Sequence, residues 1–179
     1  MLIPGVLFCL VSSCQNDLNE VMALTSGNGR QEDRAEDVTI INSKDGKIKM
    51  RAFAREFVRN SSAKPAYIDM NGNLKAEFYN DSGKVENVLT ADSSRYYEAA
   101  GNVLVWDSVQ IVTSKGERLN TSELIWNASI QKFFTEKPVR ITTSSEVLYG
   151  NGMEANSDFT WYRIMNTKGT VQVNKGDMP

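Results

Sequence analysis

Between Tyr79 and Gly152 apolar and polar residues alternate in short runs set apart by turn residues, with no helical period of ten residues or more. Turn signals recur about every ten residues, a spacing typical of all-β chains. They are Lys44-Asp45-Gly46-Lys47, Asn71-Gly72-Asn73, Asn80-Asp81-Ser82-Gly83, Ala100-Gly101-Asn102, Ser114-Lys115-Gly116-Glu117, Asn127-Ala128 and Lys168-Gly169. The runs between them are rich in Val, Ile, Thr, Tyr, Phe and Trp. This predicts an antiparallel all-β domain, as a sandwich, barrel or solenoid.

The clearest strand is Ser108 to Thr113, which puts Val109, Ile111 and Thr113 on one face and Ser108, Gln110 and Val112 on the other. In the next run, Leu119 to Trp126, the parity slips. Leu119 and Thr121 are in phase, Leu124 and Trp126 are on the opposite count, and keeping all four inward requires an extra residue near Ser122-Glu123. A β-bulge is predicted there. After Pro138, Val139, Ile141 and Thr143 alternate again. Further on, Phe159, Trp161 and Arg163 are predicted to share one face, with Tyr162 and Ile164 on the other.

The amino terminus has a different pattern. Leu2 to Val11 is an apolar run too short to span a bilayer as a helix but suited to a signal-peptide core. Leu10-Val11-Ser12-Ser13-Cys14 follows, and it resembles a bacterial lipobox. Residues 1–13 then read as a signal peptide and Cys14 as the acylated first residue of the mature chain. A plainly cleaved signal or a chance apolar terminus are the alternatives. The run departs from the usual pattern in that no Lys or Arg precedes it, Arg30 being the first basic residue. A single acyl chain at about 0.8 kcal/mol per buried CH₂ holds a membrane only marginally, whereas the several chains of such a Cys anchor it firmly. Residues 14–37 are polar and read as a flexible tether that follows the acylated Cys, the alternative being a short helix over Asp17 to Leu24 packed on the domain. The folded domain is assigned to residues 38–175.

That leaves roughly 140 residues, enough for one domain with a real core. The net charge is −2 without a basic cluster, which argues against a nucleic-acid partner. Both cysteines, Cys9 and Cys14, fall in the leader or at the acylation site, leaving the domain without a thiol. The chain contains no histidine, so the commonest general base and transition-metal ligand are missing. No spacing singles out a carboxylate pair or a Ser-Lys pair, and neither an enzyme nor a cofactor is implied. Asp69-Met70-Asn71-Gly72-Asn73 has some look of a calcium loop. Its glycine comes too early, however, and Asn80 stands where a bidentate Glu belongs, so it reads as a turn. The Asn-x-Ser sequons at Asn60, Asn80, Asn120 and Asn127 read as turn and edge residues.

The ordered series Val103-Leu104-Val105, Gly116 to Thr121, Leu124-Ile125-Trp126-Asn127, Thr135 to Ile141 and Gly150-Asn151-Gly152-Met153-Glu154-Ala155 resembles the OstA/LptC superfamily, and within it the LptC family. The resemblance runs from about Val38 to Val173 and is carried by repeats rather than by one motif. It implies a twisted open β-jellyroll whose apolar interior takes the acyl chains of lipopolysaccharide. It also implies a lipid-anchored place on the periplasmic face of the inner membrane. The partners would be the LptF/LptG jellyroll of the ABC transporter and an LptA-like bridge protein. Candidate groove residues are Val105, Val109, Ile111, Leu124, Trp126, Val139, Ile141, Met153, Phe159 and Trp161, each of which could equally be core. Edge strands for partner pairing are expected around Ile40, Ile48 and Phe57 at one end and Ile164, Val171 and Val173 at the other. Gly150 and Gly152 match the family's glycine pattern, as a turn, a bulge or a close approach. The competing function is a membrane-tethered β-sandwich lipoprotein with a packed core, binding a polysaccharide or a protein.

Overall fold

The computed structural model describes residues 32–157 and 159–171. The leader, Cys9, Cys14, the possible helix over Asp17 to Leu24 and Val173 lie outside the described residues. The chain forms one antiparallel meander: β1 (Glu32–Lys44), β2 (Lys47–Asn60), β3 (Tyr67–Tyr79), β4 (Val85–Tyr97), β5 (Asn102–Thr113), β6 (Arg118–Asn127), β7 (Lys132–Thr142) and β8 (Glu146–Asn156). Two short pieces, β9 (Tyr162–Ile164) and β10 (Lys168–Val171), both pair with β8, one beside each of its halves. The predicted all-β fold is present, with each of the eight long strands bonded to its sequence neighbours.

The eight long strands run 10 to 14 residues, about twice the usual length. Nearly all of them break register near the middle: between Phe53 and Glu56, Asn71 and Leu74, Thr90 and Ser93, Trp106 and Val109, Thr121 and Ile125, and Thr135 and Pro138. These breaks form a line of bulges across the sheet. A bulge bends its strand and increases its twist, and a row of them folds the sheet over itself. Phe78 on β3 thereby meets Phe133 on β7, with ring centroids 6.2 Å apart, although β3 and β7 are not sheet neighbours. Close backbone approach is confined almost wholly to adjacent strands, so side chains alone hold the two layers together.

The bulge predicted near Ser122-Glu123 lies in this line. Thr121 pairs with Val109 and Glu123 with Trp106, and both Leu119 and Leu124 end up buried. Asn71-Gly72-Asn73 is not a turn as expected. It is the bulge of β3, with Gly72 and Asn73 at positive φ, and Asp69 next to it binds Arg95 through both carboxylate oxygens at 2.7 and 2.9 Å. A turn signal inside a long strand has been spent on bending the strand. Lys168-Gly169 likewise begins β10 rather than forming a turn. Asn60, Asn80 and Asn127 do cap turns, each side-chain oxygen accepting from backbone N–H groups just downstream. Asn120 sits instead within β6, paired on both sides.

The domain begins earlier than expected, since Glu32 to Glu36 already pair with Glu56 to Asn60. Polar composition misled here because an edge strand with both faces wet carries no apolar alternation. β1, with Ile40, is the free edge. β2 runs between β1 and β3, so Ile48 and Phe57 belong to an internal strand and not to an edge. At the other end the expected single edge strand from Ile164 to Val173 is split. Ile164 is in β9 beside one half of β8, and Val171 ends β10 beside the other.

Candidate functional site: the interior groove

Folding the sheet along its bulges encloses an apolar interior. Val105, Val109, Ile111, Leu124, Val139, Ile141 and Met153 are all at most 3% exposed. Trp126 is half-buried, its ring 4.8 Å from Phe133. Phe159 is buried and stacks on Phe133 at 4.8 Å with 24° between the planes. Trp161 does not share its face. It is 46% exposed on the outer surface, where Lys132 Nζ lies 5.4 Å from its ring. The predicted alternation fails at Phe159 because that residue is in a turn, at φ 55°, and β9 begins only at Tyr162. Tyr162 and Ile164 are half-buried and Arg163 is exposed, in the predicted phase.

The sequence-based set covers only the β5–β8 side of the interior. The β2–β4 side is built from Ala52, Ala54, Ala76 and Ala91 with Met70, Leu74 and Leu89, all buried. Their period-two spacing is visible in Met50-x-Ala52-x-Ala54 and Leu74-x-Ala76-x-Phe78. Alanine carries little hydrophobic signal, and its small side chain is what leaves room. A solvent-open hollow of about 570 Å³ lies at the end of this side, lined by Met50, Phe78 and Tyr79 and otherwise by polar residues, among them Lys49, Asp81 and Asn87. A crevice of about 20 Å³, room for about one water, lies over Ile111, Leu119, Ile141, Met153, Phe159 and Tyr162. Both are open to solvent.

Polar atoms inside are few and mostly committed to the bulges. Thr135 Oγ1 accepts from the Lys137 N–H at 3.0 Å, and Thr121 Oγ1 donates to the Glu123 carbonyl at 3.3 Å. Ser94 Oγ, fully buried, has no partner. Charges stay at the rims. Lys49 pairs with Asp81 at the mouth of the hollow and holds that carboxyl below its ordinary range. Beside the crevice, burial and then Glu117 and Glu146 raise the Tyr162 phenol. Among the described residues no group of His, Cys, Asp or Glu is placed to hold a metal ion. No described helix is long and apolar enough to cross a membrane.

The two glycines mark where the chain crosses back over β8. The Met165 carbonyl accepts from the Asn151 N–H at 2.9 Å, and the Met165 N–H donates to the Gly152 carbonyl at 3.0 Å. A Cβ on Gly150 would stand 2.1 Å from Ile164 Cγ2 and 2.6 Å from the Met165 oxygen. Gly150 is therefore a close-approach glycine. Gly152, at φ +102°, supplies a backbone conformation that other residues rarely adopt.

The fold is thus an open, two-layer antiparallel β-jellyroll with an apolar interior and charges at its rims. Residues 35–166 match the family described as lipopolysaccharide-assembly, LptC-related, and the chain belongs to that family. The family is a transport component of lipopolysaccharide assembly, associated with the periplasmic side of the inner membrane. A comparison with curated proteins finds no match.

Proposed function

We propose that this chain receives lipopolysaccharide from the inner-membrane ABC transporter and hands it, acyl chains inward, to an LptA-like bridge protein. The observation that carries this reading is the apolar interior between the two folded layers, on a chain of the LptC-related family. Exposing one acyl chain of about a dozen carbons to water costs on the order of 10 kcal/mol. A multi-chain lipid therefore needs a covered path.

The free edge of β1 would add to the LptF/LptG jellyroll by strand pairing. Its first half, Glu32 to Asp37, is charged, which blunts it against unspecific pairing. Its second half, Val38 to Ser43, carries no charge and is the stretch available for docking. The outer edges of β9 and β10 would receive the bridge protein. Such head-to-tail pairing is a heterologous interface and joins the grooves end to end. An acylated Cys14 would hold the chain to the membrane.

Photo-crosslinking in cells tests the reading, with probes at Val109, Trp126 and Phe159 and at the turn residue Lys115. Lipopolysaccharide adducts at the three inward sites and none at Lys115 are expected. A folded, tethered chain that gives no adduct anywhere would instead be a binding lipoprotein with a packed core.

A further inference from the structure

Pairing of the strands gives the outer surface a cationic face that no stretch of the sequence shows. Beyond the bulge line, strand register sets Gln110, Asn120, Arg140, Tyr149 and Lys168 in one row across β5, β6, β7, β8 and β10. Val112, Arg118, Thr142 and Val147 form the row beside it. Their chain neighbours Ile111, Leu119, Ile141 and Leu148 pack in the interior, so both rows point outward. Neither row contains a carboxylate. Among the described residues Arg118, Arg140 and Lys168 form no ion pair, whereas elsewhere on the outer surface Lys75 is paired with Glu77, Arg95 with Asp69, and Lys132 and Arg163 with Glu154. Glu117 and Glu146, the chain neighbours of Arg118 and Val147, act instead on Tyr162 at the inner side of the sheet, where they add to the effect of burial in raising its phenol. The Arg140 guanidinium lies 6.0 Å from the centre of the Tyr149 ring, and Tyr149 is 48% exposed.

We propose that this face docks on the anionic lipid headgroups of a bilayer and sets how the domain lies against it. Charge complementarity carries the assignment. The chain as a whole is acidic, at −2, and an anionic surface attracts it only where cations stand unpaired. Adjacent strands are about 4.8 Å apart, so Arg140 and Lys168, two strands from each other, are separated by about 10 Å, with Arg118 in the neighbouring row. That is about one Debye length at about 0.1 M salt, so the three act together on one surface. Both rows lie on the same sheet face and can meet a planar partner at once. A tyrosine among them is suited to the level of the headgroups, with its ring and its hydroxyl in different surroundings. The family's place at the inner membrane supplies such a surface. Three cations are too few to attach a protein by themselves, so the face orients a domain that is held by other means. The proposal is independent of what the interior carries.

The test is co-sedimentation of the full chain, with Cys9→Ser and Cys14→Ser, on vesicles of phosphatidylcholine with or without phosphatidylglycerol. The apolar leader contributes equally to every variant, so the comparison is between variants. A cation near an anionic membrane surface is worth about 1 kcal/mol, or about fivefold. Arg118→Gln, Arg140→Gln and Lys168→Gln together should therefore weaken binding to the anionic vesicles about a hundredfold and leave binding to the neutral ones unchanged. Lys44→Gln, Lys64→Gln and Lys84→Gln make the same change in net charge at exposed positions off this face and should cost far less. Arg118→Lys with Arg140→Lys, which keeps the charge, should bind like the parent chain. Salt at about 1 M, with a Debye length of about 3 Å, should abolish the preference for anionic vesicles. Equal losses in the two triple variants, or no preference of the parent chain for anionic vesicles, overturns the proposal. Binding to poly-L-glutamate without binding to vesicles would give the face to an acidic protein. Salt-sensitive self-association that the first triple variant abolishes would give it to a second copy. Either result overturns the membrane assignment.

Discussion

Gly150→Ala isolates the close approach on which the last part of the fold depends. Gly150 does not have a left-handed φ, so alanine brings no such backbone strain and the whole effect comes from space. The new methyl would stand 2.1 Å from Ile164 Cγ2 and 2.6 Å from the Met165 carbonyl oxygen. Ordinary carbon contacts are about 3.5–4.0 Å, so something must move by more than 1 Å. The Ile164 side chain can turn away. The Met165 carbonyl cannot, because the Asn151 N–H holds it at 2.9 Å. The segment from Tyr162 to Met165 must therefore shift as a piece, at the usual overpacking cost of about 1–3 kcal/mol. Chemical denaturation should show this loss, and hydrogen exchange should place it at the Met165 and Asn151 amides with the rest of the sheet still protected. Adding Ile164→Ala removes one of the two clashes, so the double mutant should lose about 0.5–2 kcal/mol less than the sum of the singles. A Gly150→Ala protein within 0.5 kcal/mol of wild type, with the Met165 amide still protected, would refute the close-approach role.

Two further outcomes follow from the side chains. Ser94→Ala removes a fully buried hydroxyl that has no partner, so it should stabilise the domain by about 1 kcal/mol; a loss of similar size in denaturant would mean that the hydroxyl is satisfied in solution. Hydrogen bonding to Lys132, helped by the charges of Lys132 and Arg163, lowers the Glu154 carboxyl from its ordinary value. A lowered carboxylate contributes stability that is complete above its unfolded value, about 4.3, and is lost as pH falls through the lower folded one. Protection of the β9 amides should then decline below about pH 4.3 in wild type and be flatter in Glu154→Gln; identical profiles in the two proteins would mean that the Glu154–Arg163 pair does not help hold β9 to β8.

The interior of β5 to β8 was legible because its residues are large and alternate strictly. The parity slip between Thr121 and Leu124 even gave away the bulge. The β2–β4 side was not legible, because Ala52, Ala54, Ala76 and Ala91 are small and give no hydrophobic stripe by themselves. Asn71-Gly72-Asn73 carries the chemistry of a turn, and only pairing with β2 and β4 on both flanks turns it into a bulge. β1 was hidden for the opposite reason, as a wet edge strand whose charges are polar on both faces. The gap between Phe159 and Trp161 was the hardest to see. Period-two counting assumes a strand, and the chain there is in a turn with a left-handed residue.

The same arrangement is compatible with the proposed transfer of lipid through a well-folded chain. Long strands bonded to their neighbours carry the stability, and that bonding does not depend on what fills the space between the layers. Side chains facing that space touch other side chains in the structure and would touch acyl chains in a loaded one. Methylene for methylene these contacts are nearly equivalent, at about 0.8 kcal/mol per CH₂ removed from water in either case. Passage of a chain from one such groove to the next is therefore close to neutral, and the groove itself cannot set a direction. Direction must come from the ends. Under the proposed pairing, β1 would fix where lipid arrives and the outer edges of β9 and β10 where it leaves. A push supplied upstream would then move lipid one way along the joined grooves.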